Sequence, residues 1–424
     1  MGRSVSLHLR RVLPIVLDRM IDDPVVLIEG PRSVGKSTLL KEIALARGGR
    51  VLDLDDPATR DAVSVDPARF VGGGETVCID EYQKVPLVLD AIKAVLNRGT
   101  SPGMFVLTGS ARHDSLPRAA QSLTGRLSRL SIYPLSQGEQ ANVREGFLDG
   151  LLRNPEEVVT NELSTTTRED YVERICRGGF PLALFASTDR ARKRWIDQYL
   201  QLTLERDVAE LSRLRQGHLL GVLLGRLAGQ TAQVLNVEKA ARDVGLDKAT
   251  TDSYVSLLEK VFLIHRLPAW GKTLTARSAA TPKIHVLDSA VAARLLRVTP
   301  EKLATLDPTV LTELGHLVET FTVGELLKQA SWNDEIAGVG HWRTHDADEV
   351  DFVVELDNGG VVGFEIKTGN RVPGEQLKGL KKLRDAVGAN FLGGYVLYLG
   401  ERSYTFEDRI HVIPLDRLWT HRTP

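Results

Sequence analysis

Between Val25-Val26-Leu27-Ile28 and Leu39-Leu40 the chain reads Gly30-Pro31-Arg32-Ser33-Val34-Gly35-Lys36-Ser37-Thr38. An apolar run, a glycine loop and an apolar-periodic stretch, in that order, predict strand, loop and helix. The loop matches G-x-x-x-x-G-K-[ST] in full. Each position has a physical task. Gly30 and Gly35 permit the bend that turns backbone N–H groups toward phosphate oxygens. The helix starting near Lys36 adds the positive end of its dipole. Lys36 suits the β- and γ-phosphates as a point charge, and the Ser37 hydroxyl suits Mg²⁺. Residues Gly30 through Thr38, with Pro31, Arg32, Ser33 and Val34 supplying the loop backbone, are therefore expected to hold ATP.

A second element supports this. Val77-Cys78-Ile79-Asp80-Glu81 is an apolar strand ending in two carboxylates. Buried parallel strands read as continuous apolar runs, and their C-terminal ends face the ligand crevice. Asp80 is expected to hold Mg²⁺ and Glu81 to orient the attacking water as a general base. A third strand, Met104 to Leu107, ends in Thr108-Gly109-Ser110. A polar tip there is either a γ-phosphate sensor, with Ser110 or Thr108 as the residue, or an ordinary turn. Arg126, after the turn at Gly125, is either an arginine finger acting across a subunit interface or a surface ion pair. The acids Asp53, Asp55 and Asp56 end another strand; a solvated strand end and a place near the metal both stand.

Composition bounds the rest. At 424 residues the chain has room for two to four domains. A net charge of -1 excludes a wholly basic nucleic-acid binder but not a local basic surface. Two cysteines, Cys78 and Cys176, argue against a disulfide scaffold. No apolar run is long enough to span a bilayer and no secretory signal is visible, so a cytoplasmic protein without membrane contact is expected. Residues 5–21 predict an amphipathic helix, with Pro14 as a kink or the true start. Residues 148–170 read as a polar linker or loop. Arg190 to Arg194 opens a long helical pattern and is either a solvated face or a phosphate contact. Residues 218–267 predict a winged helix-turn-helix. Gly245 makes its turn, Asp247 caps its third helix, and Lys248, Thr250, Thr251 and Ser253 form that helix's outward face. That set contains no arginine to pair with guanine, so the module either contacts DNA or packs as a lid.

The last part, from about 280, predicts a helix from Val310 to Trp332 carrying Glu319, then an order of strands closed by a helix and a strand. Alternation puts Asp351 on the polar face of Glu349–Leu356, and Glu365 with Lys367 on the polar face of Val361–Lys367. A hairpin at Asp357-Asn358-Gly359-Gly360 brings these together. Two carboxylates suit a divalent cation and a nearby lysine suits a developing phosphate charge, while a salt-bridged amphipathic sheet is the rival reading.

The GPRSVGKST loop, VCIDEYQKVP, LTGSA, LTGR, RGGFP and the EVDFVVE…FEIK series together resemble a group of prokaryotic AAA+ ATPases whose C-terminal domain resembles PD-(D/E)xK nucleases. The resemblance implies an α/β fold in four parts: a parallel-sheet P-loop AAA+ domain over 1–140, a linker and helical segment over 141–217, a winged helix over 218–280, and a restriction-endonuclease-like α/β domain over 281–424. It implies Lys36 and Ser37 as Walker A, Asp80 and Glu81 as Walker B, Ser110 as sensor and Arg126 as finger. Glu319, Asp351, Glu365 and Lys367 match the nuclease-fold pattern. The expectation is a Mg²⁺-dependent ATP hydrolase acting on DNA as a homo-oligomer, with nucleotide state moving the C-terminal domains. The alternative is a non-catalytic ATP-dependent switch with a degenerate nuclease-like domain. A small-molecule kinase fits less well, because the adjacent Asp80-Glu81 pair favours attack by water.

Overall fold

The chain enters through helix α1 (Val12–Asp22), which buries Val12, Val16 and Met20. The computed structural model describes residues 10–112, 123, 125–155, 157–208, 217–271, 273, 281–303, 305, 308–344, 346 and 348–421. The start of the expected 5–21 helix and Thr124 of the LTGR stretch lie outside them. Pro14 falls in the first turn of α1, where its missing N–H has no intrahelical partner to lose.

Then follow β1 (Val25–Glu29), α2 (Lys36–Arg47), β2 (Arg50–Asp53), α3 (Pro57–Val65), α4 (Pro67–Val71), β3 (Val77–Asp80), α5 (Leu87–Arg98), β4 (Phe105–Gly109) and β5 (Leu127–Ser131). The five strands form one parallel sheet in the order β2-β3-β4-β1-β5. β1, β3 and β4 are buried along their whole length. Such strands must be apolar until they reach the crevice, and these turn polar only at their C-terminal ends, at Glu29, Asp80 and Thr108. The order matters for function, because β4 lies between β1 and β3.

The next segment holds α6 (Gln137–Ala141), α7 (Phe147–Arg153), α8 (Arg168–Arg177), α9 (Pro181–Leu184) and α10 (Asp189–Leu202). The expected loop over 148–170 is found only in its middle: among the described residues, 154–167 carry no helix or strand, while helices take both ends. α7 is a buried helix, because Phe147, Leu148 and Leu151 form an apolar face with no exposure at all. Ser136 and Glu139 cap α6 reciprocally. Beside that cap the Glu145 carboxyl is enclosed; it accepts a hydrogen bond from Ser136 Oγ, and its Oε2 has no partner. Burial pushes Glu145 up to about 7 from an ordinary 4.5. The folded state therefore keeps a proton that the unfolded chain releases, and stability falls as pH rises from 4.5 to 7. Glu145→Gln removes that cost. Its denaturation midpoint should match the wild type near pH 4.5 and exceed it at pH 8 by the equivalent of about 3 kcal/mol; parallel profiles would refute a buried neutral carboxyl.

The middle unit runs α11 (Leu219–Ala228), β6 (Gln233–Val234), α12 (Val237–Val244), α13 (Lys248–Lys260), β7 (Ile264–Leu267) and β8 (Lys283–Val286). Its antiparallel sheet has the order β6-β8-β7. β8, assigned to the last domain by sequence, thus belongs here, and α14 (Ser289–Leu295) and α15 (Pro300–Leu303) follow it. On α13, Thr251 is fully buried and donates to Asp247 O, so it is not part of the outward face. Lys248 of that face pairs with Glu238 at 3.1 Å.

The last unit runs α16 (Pro308–Ala330), β9 (Ile336–Arg343), β10 (Glu349–Leu356), β11 (Val361–Lys367), α17 (Lys378–Val387), β12 (Phe391–Tyr398), β13 (Tyr404–Glu407), β14 (Ile410–Pro414) and α18 (Arg417–Thr420). Its sheet has the order β13-β14-β12-β11-β10-β9. β9, β10 and β11 form an antiparallel meander; α17 then crosses so that β12 pairs parallel with β11. Gly359, at φ 81°, makes the tight turn between β10 and β11. α16 has no single apolar face: Leu314, Leu317, Val318, Phe321, Val323 and Leu326 are all buried, as befits a helix packed on several sides. Its polar residues serve its neighbours. Glu325 Oε2 accepts Gln137 N at 2.8 Å, Gln329 Oε1 accepts Leu148 N at 3.0 Å, and Gln329 Nε2 donates to Leu418 O at 2.6 Å.

Candidate functional site

The loop from Gly30 to Gly35 turns through two left-handed residues, Ser33 at φ 62° and Gly35 at φ 96°. Gly35 needs no Cβ relief there, and α2 starts at the next residue. Gly30 is required for space: a Cβ on it would stand 2.1 Å from Ile132 O. Lys36 is only 5% exposed, and its Nζ donates to Gly30 O and Pro31 O, each at 2.9 Å. The ammonium thus sits inside the loop, while Ser37 and Thr38 face outward.

At the end of β3, Asp80 and Glu81 are both buried. Glu81 is left-handed at φ 52° and ψ 48°, a costly conformation for a residue with a Cβ and one that clusters at functional sites. The tip of β4 explains how it is held. Thr108 Oγ1 donates to Asp80 and accepts the Glu81 N–H at 3.3 Å. Ser110 Oγ donates to Glu81 Oε2 at 2.9 Å. Gln83 Nε2 donates to the same oxygen and lies 3.2 Å from Ser110 Oγ. Because β4 separates β1 from β3, this tip stands between the loop and the two acids. It then continues into the middle unit: Arg112 N donates to Lys260 O at 3.1 Å, and the Arg112 guanidinium lies over the Phe262 ring.

The donor set suits a nucleotide with a hard cation. A glycine loop around an enclosed ammonium complements phosphate, and an outward hydroxyl on Ser37 with the Asp80 carboxylate are oxygen ligands of the kind Mg²⁺ takes.

Other expected residues lie elsewhere. Arg126 precedes Leu127, which pairs with Val25 at the start of β1; it is at the end of the sheet opposite the loop, donating to Asn97 Oδ1 at 2.8 Å. The acids after β2 are occupied locally. Asp56 caps α3, Asp55 pairs with Lys84, and Asp53 accepts Asp55 N at 2.9 Å. β2 is an edge strand, three places from β1.

The second constellation assembles around a residue the sequence reading passed over. Phe352 pairs with Phe364, so Asp351 and Glu365 come side by side. Lys367 Nζ meets Glu365 Oε1 at 2.6 Å, and Asp351 Oδ2 accepts Ile366 N at 2.9 Å. Between Glu319 and Asp351 stands Lys283 of β8, its Nζ 2.9 Å from Glu319 Oε1 and 2.8 Å from Asp351 Oδ1. Glu349 Oε2 is 3.9 Å away. Burial opposes the charge on Lys283, but Asp351, Glu319 and Glu349 outweigh it and hold its pKa above the ordinary value. Burial and the Asp351 charge push Glu365 up to about 8. Burial, then Asp351, raise Glu319, while for Asp351 the two lysines prevail over burial and lower it.

Arg10 was also missed. Its Nε donates to Glu139 Oε1 at 2.9 Å, NH1 to Val34 O in the loop, and NH2 to Tyr133 O at 2.7 Å. No local pattern marks it. Lys283 did leave a signal: in Lys283-Ile284-His285-Val286 the polar residues alternate with apolar ones in a strand that ends up wholly buried.

Comparison with known proteins agrees with the core. Residues 22–141 match a family model described as an AAA domain. Residues 168–302 and 314–418 match two models described as domains of unknown function, DUF8612 and DUF4143. The chain is 26% identical over 421 residues to Uncharacterized protein Rv2008c of Mycobacterium tuberculosis and, equally, to Uncharacterized protein Mb2031c of Mycobacterium bovis, covering 99% of this chain and 84% of each relative. Among solved structures it is similar to the Walker-type ATPase PABY2304 of Pyrococcus abyssi, with 14% identity and a TM-score of 0.42 over 69% of this chain and 97% of that one. It is also similar to the RuvB Holliday junction branch migration motor of Thermotoga maritima, with 17% identity and a TM-score of 0.26 over 63% and 88%. Residues 22–141 thus match an AAA domain, within an α/β chain. Among the described residues no helix is long and apolar enough to cross a membrane.

Proposed function

We propose that this chain is a Mg²⁺-dependent ATP hydrolase whose nucleotide state is passed to the middle unit through the tip of β4. One observation carries the reading. Ser110 holds the Glu81 carboxylate at 2.9 Å, and two residues later Arg112 N holds the last turn of α13 at 3.1 Å. A γ-phosphate that engages Ser110 must therefore disturb a segment tied to another unit.

In the chemistry, Gly30 through Thr38 bind the phosphates and Lys36 neutralises them. Ser37 and Asp80 would hold Mg²⁺, which when bound draws charge from the phosphate oxygens. Glu81 orients a water toward the γ-phosphorus and takes its proton. Ser110 and Gln83 fix the Glu81 rotamer. Arg126 serves as a finger only toward a second copy, which makes homo-oligomerisation part of the proposal.

DNA is the proposed object of the movement, with α12 and α13 read as a winged helix-turn-helix. On the outward set of α13 the lysine, Lys248, is paired with Glu238, so binding should be weak and salt-sensitive. Three measurements test the scheme. Phosphate release should require Mg²⁺; its absence overturns hydrolysis. Hydrogen exchange over residues 254–267 should change when ATP and Mg²⁺ are added; unchanged exchange overturns the coupling. A gel shift with duplex, single-stranded and branched DNA should show binding to one of them; binding to none removes DNA and leaves an ATP-driven switch.

A further inference from the structure

The carboxylates Glu319, Asp351 and Glu365 are the kind of set that takes a divalent cation in a nuclease-like sheet. Here they do not fit one. The position between Glu319 and Asp351 is filled by the Lys283 ammonium, at 2.9 and 2.8 Å. The cation at Glu365 is Lys367, at 2.6 Å. Among the described residues no group of three or more His, Cys, Asp or Glu is arranged to hold a metal.

We infer that Lys283 is the resident cation of this cluster, excluding a divalent metal from it and latching the middle unit to the C-terminal sheet. Three observations argue for permanence. The Lys283 side chain is 2% exposed, so it has no solvent to swing into. Its strand is fixed on both sides, by β6 and by β7. Its two acids come from two different elements of the last unit, α16 and β10, so the ammonium closes a three-element junction. Two cations do not share the place. A metal at its ordinary distance of about 2.0–2.6 Å from the same oxygens would lie beside a buried ammonium. An ammonium supplies three directed N–H donors and no Lewis acidity, so the junction holds parts together and does not polarise a phosphate.

The proposal predicts what substitution should uncover. In full-length protein without nucleotide, Mn²⁺ is titrated and followed by its EPR signal. Wild type and Asp351→Asn should bind the same number of Mn²⁺ ions. Lys283→Met, which keeps the stem and removes the charge, should bind one more per chain. The extra ion should vanish in Lys283→Met/Asp351→Asn. Loss of a Mn²⁺ site on going from wild type to Asp351→Asn overturns the inference, because a metal would already be there. So does a folded Lys283→Met protein that gains no site. If removing the charge prevents folding, the wild type against Asp351→Asn comparison decides alone, with Glu319→Gln as its duplicate.

Discussion

Glu81→Gln should bind ATP with unchanged affinity and hydrolyse it about 10²–10⁴-fold more slowly, the usual contribution of a positioned general base. The substitution preserves shape and one acceptor oxygen. It therefore keeps the hydrogen bond from Ser110 and the left-handed backbone at residue 81. What it removes is the capacity to take a proton from water. Affinity is preserved because the phosphates are gripped elsewhere, by the loop and Lys36. The measurement is steady-state phosphate release beside equilibrium binding of a fluorescent ATP analogue. Turnover at the wild-type rate would remove Glu81 from the chemistry. Ser110→Ala should fall less steeply, because Gln83 still donates to the carboxylate. A Ser110→Ala defect as large as that of Glu81→Gln would mean that Gln83 alone does not hold the carboxylate.

How much of this was legible follows from how local each cause is. The phosphate loop was readable because its constraints lie within nine residues: two glycines, a lysine and a hydroxyl, flanked by a strand and a helix. Asp80 and Glu81 were readable because a buried strand must be apolar until it reaches the crevice. The α/β class follows from the same runs. That Ser110 meets the Glu81 carboxylate was not readable, because it depends on β4 lying next to β3, and strand order is a long-range property. Arg126 shows the same limit. Its glycine turn is visible, but the sheet end it occupies is set by the pairing of Leu127 with Val25. α7 was misread because the polar stretch after it dominates the window, although Phe147, Leu148 and Leu151 are apolar. Lys283 was hidden for a further reason. A buried lysine is anomalous only when the acids that neutralise it are known, and they lie 36 and 68 positions away in the sequence.

Arg10→Ala should cost about 3–5 kcal/mol, the range for deleting one partner of a buried ion pair. Arg10 is 9% exposed and spans three places at once. Its fork joins the Val34 carbonyl in the phosphate loop, the Tyr133 carbonyl after β5, and the Glu139 carboxylate at the start of α6. Truncation leaves Glu139 with the N–H groups of Arg11 and Ser136 but without this buried counter-charge, and deprives two carbonyls of a donor. Arg10→Lys should recover part of the loss, because an ammonium restores the charge without the planar fork. A double-mutant cycle with Glu139→Gln should give a coupling energy of about 1–3 kcal/mol, as for residues in one network. ATP affinity carries the functional half. If the arginine shapes the loop, Arg10→Ala should weaken ATP binding while the protein is still folded. Lower stability with intact binding would mean that Gly30 against Ile132 and the left-handed Ser33 and Gly35 hold the loop unaided. A change in denaturation midpoint no larger than that of an ordinary surface substitution, about 0.5 kcal/mol, would show that the three contacts are incidental.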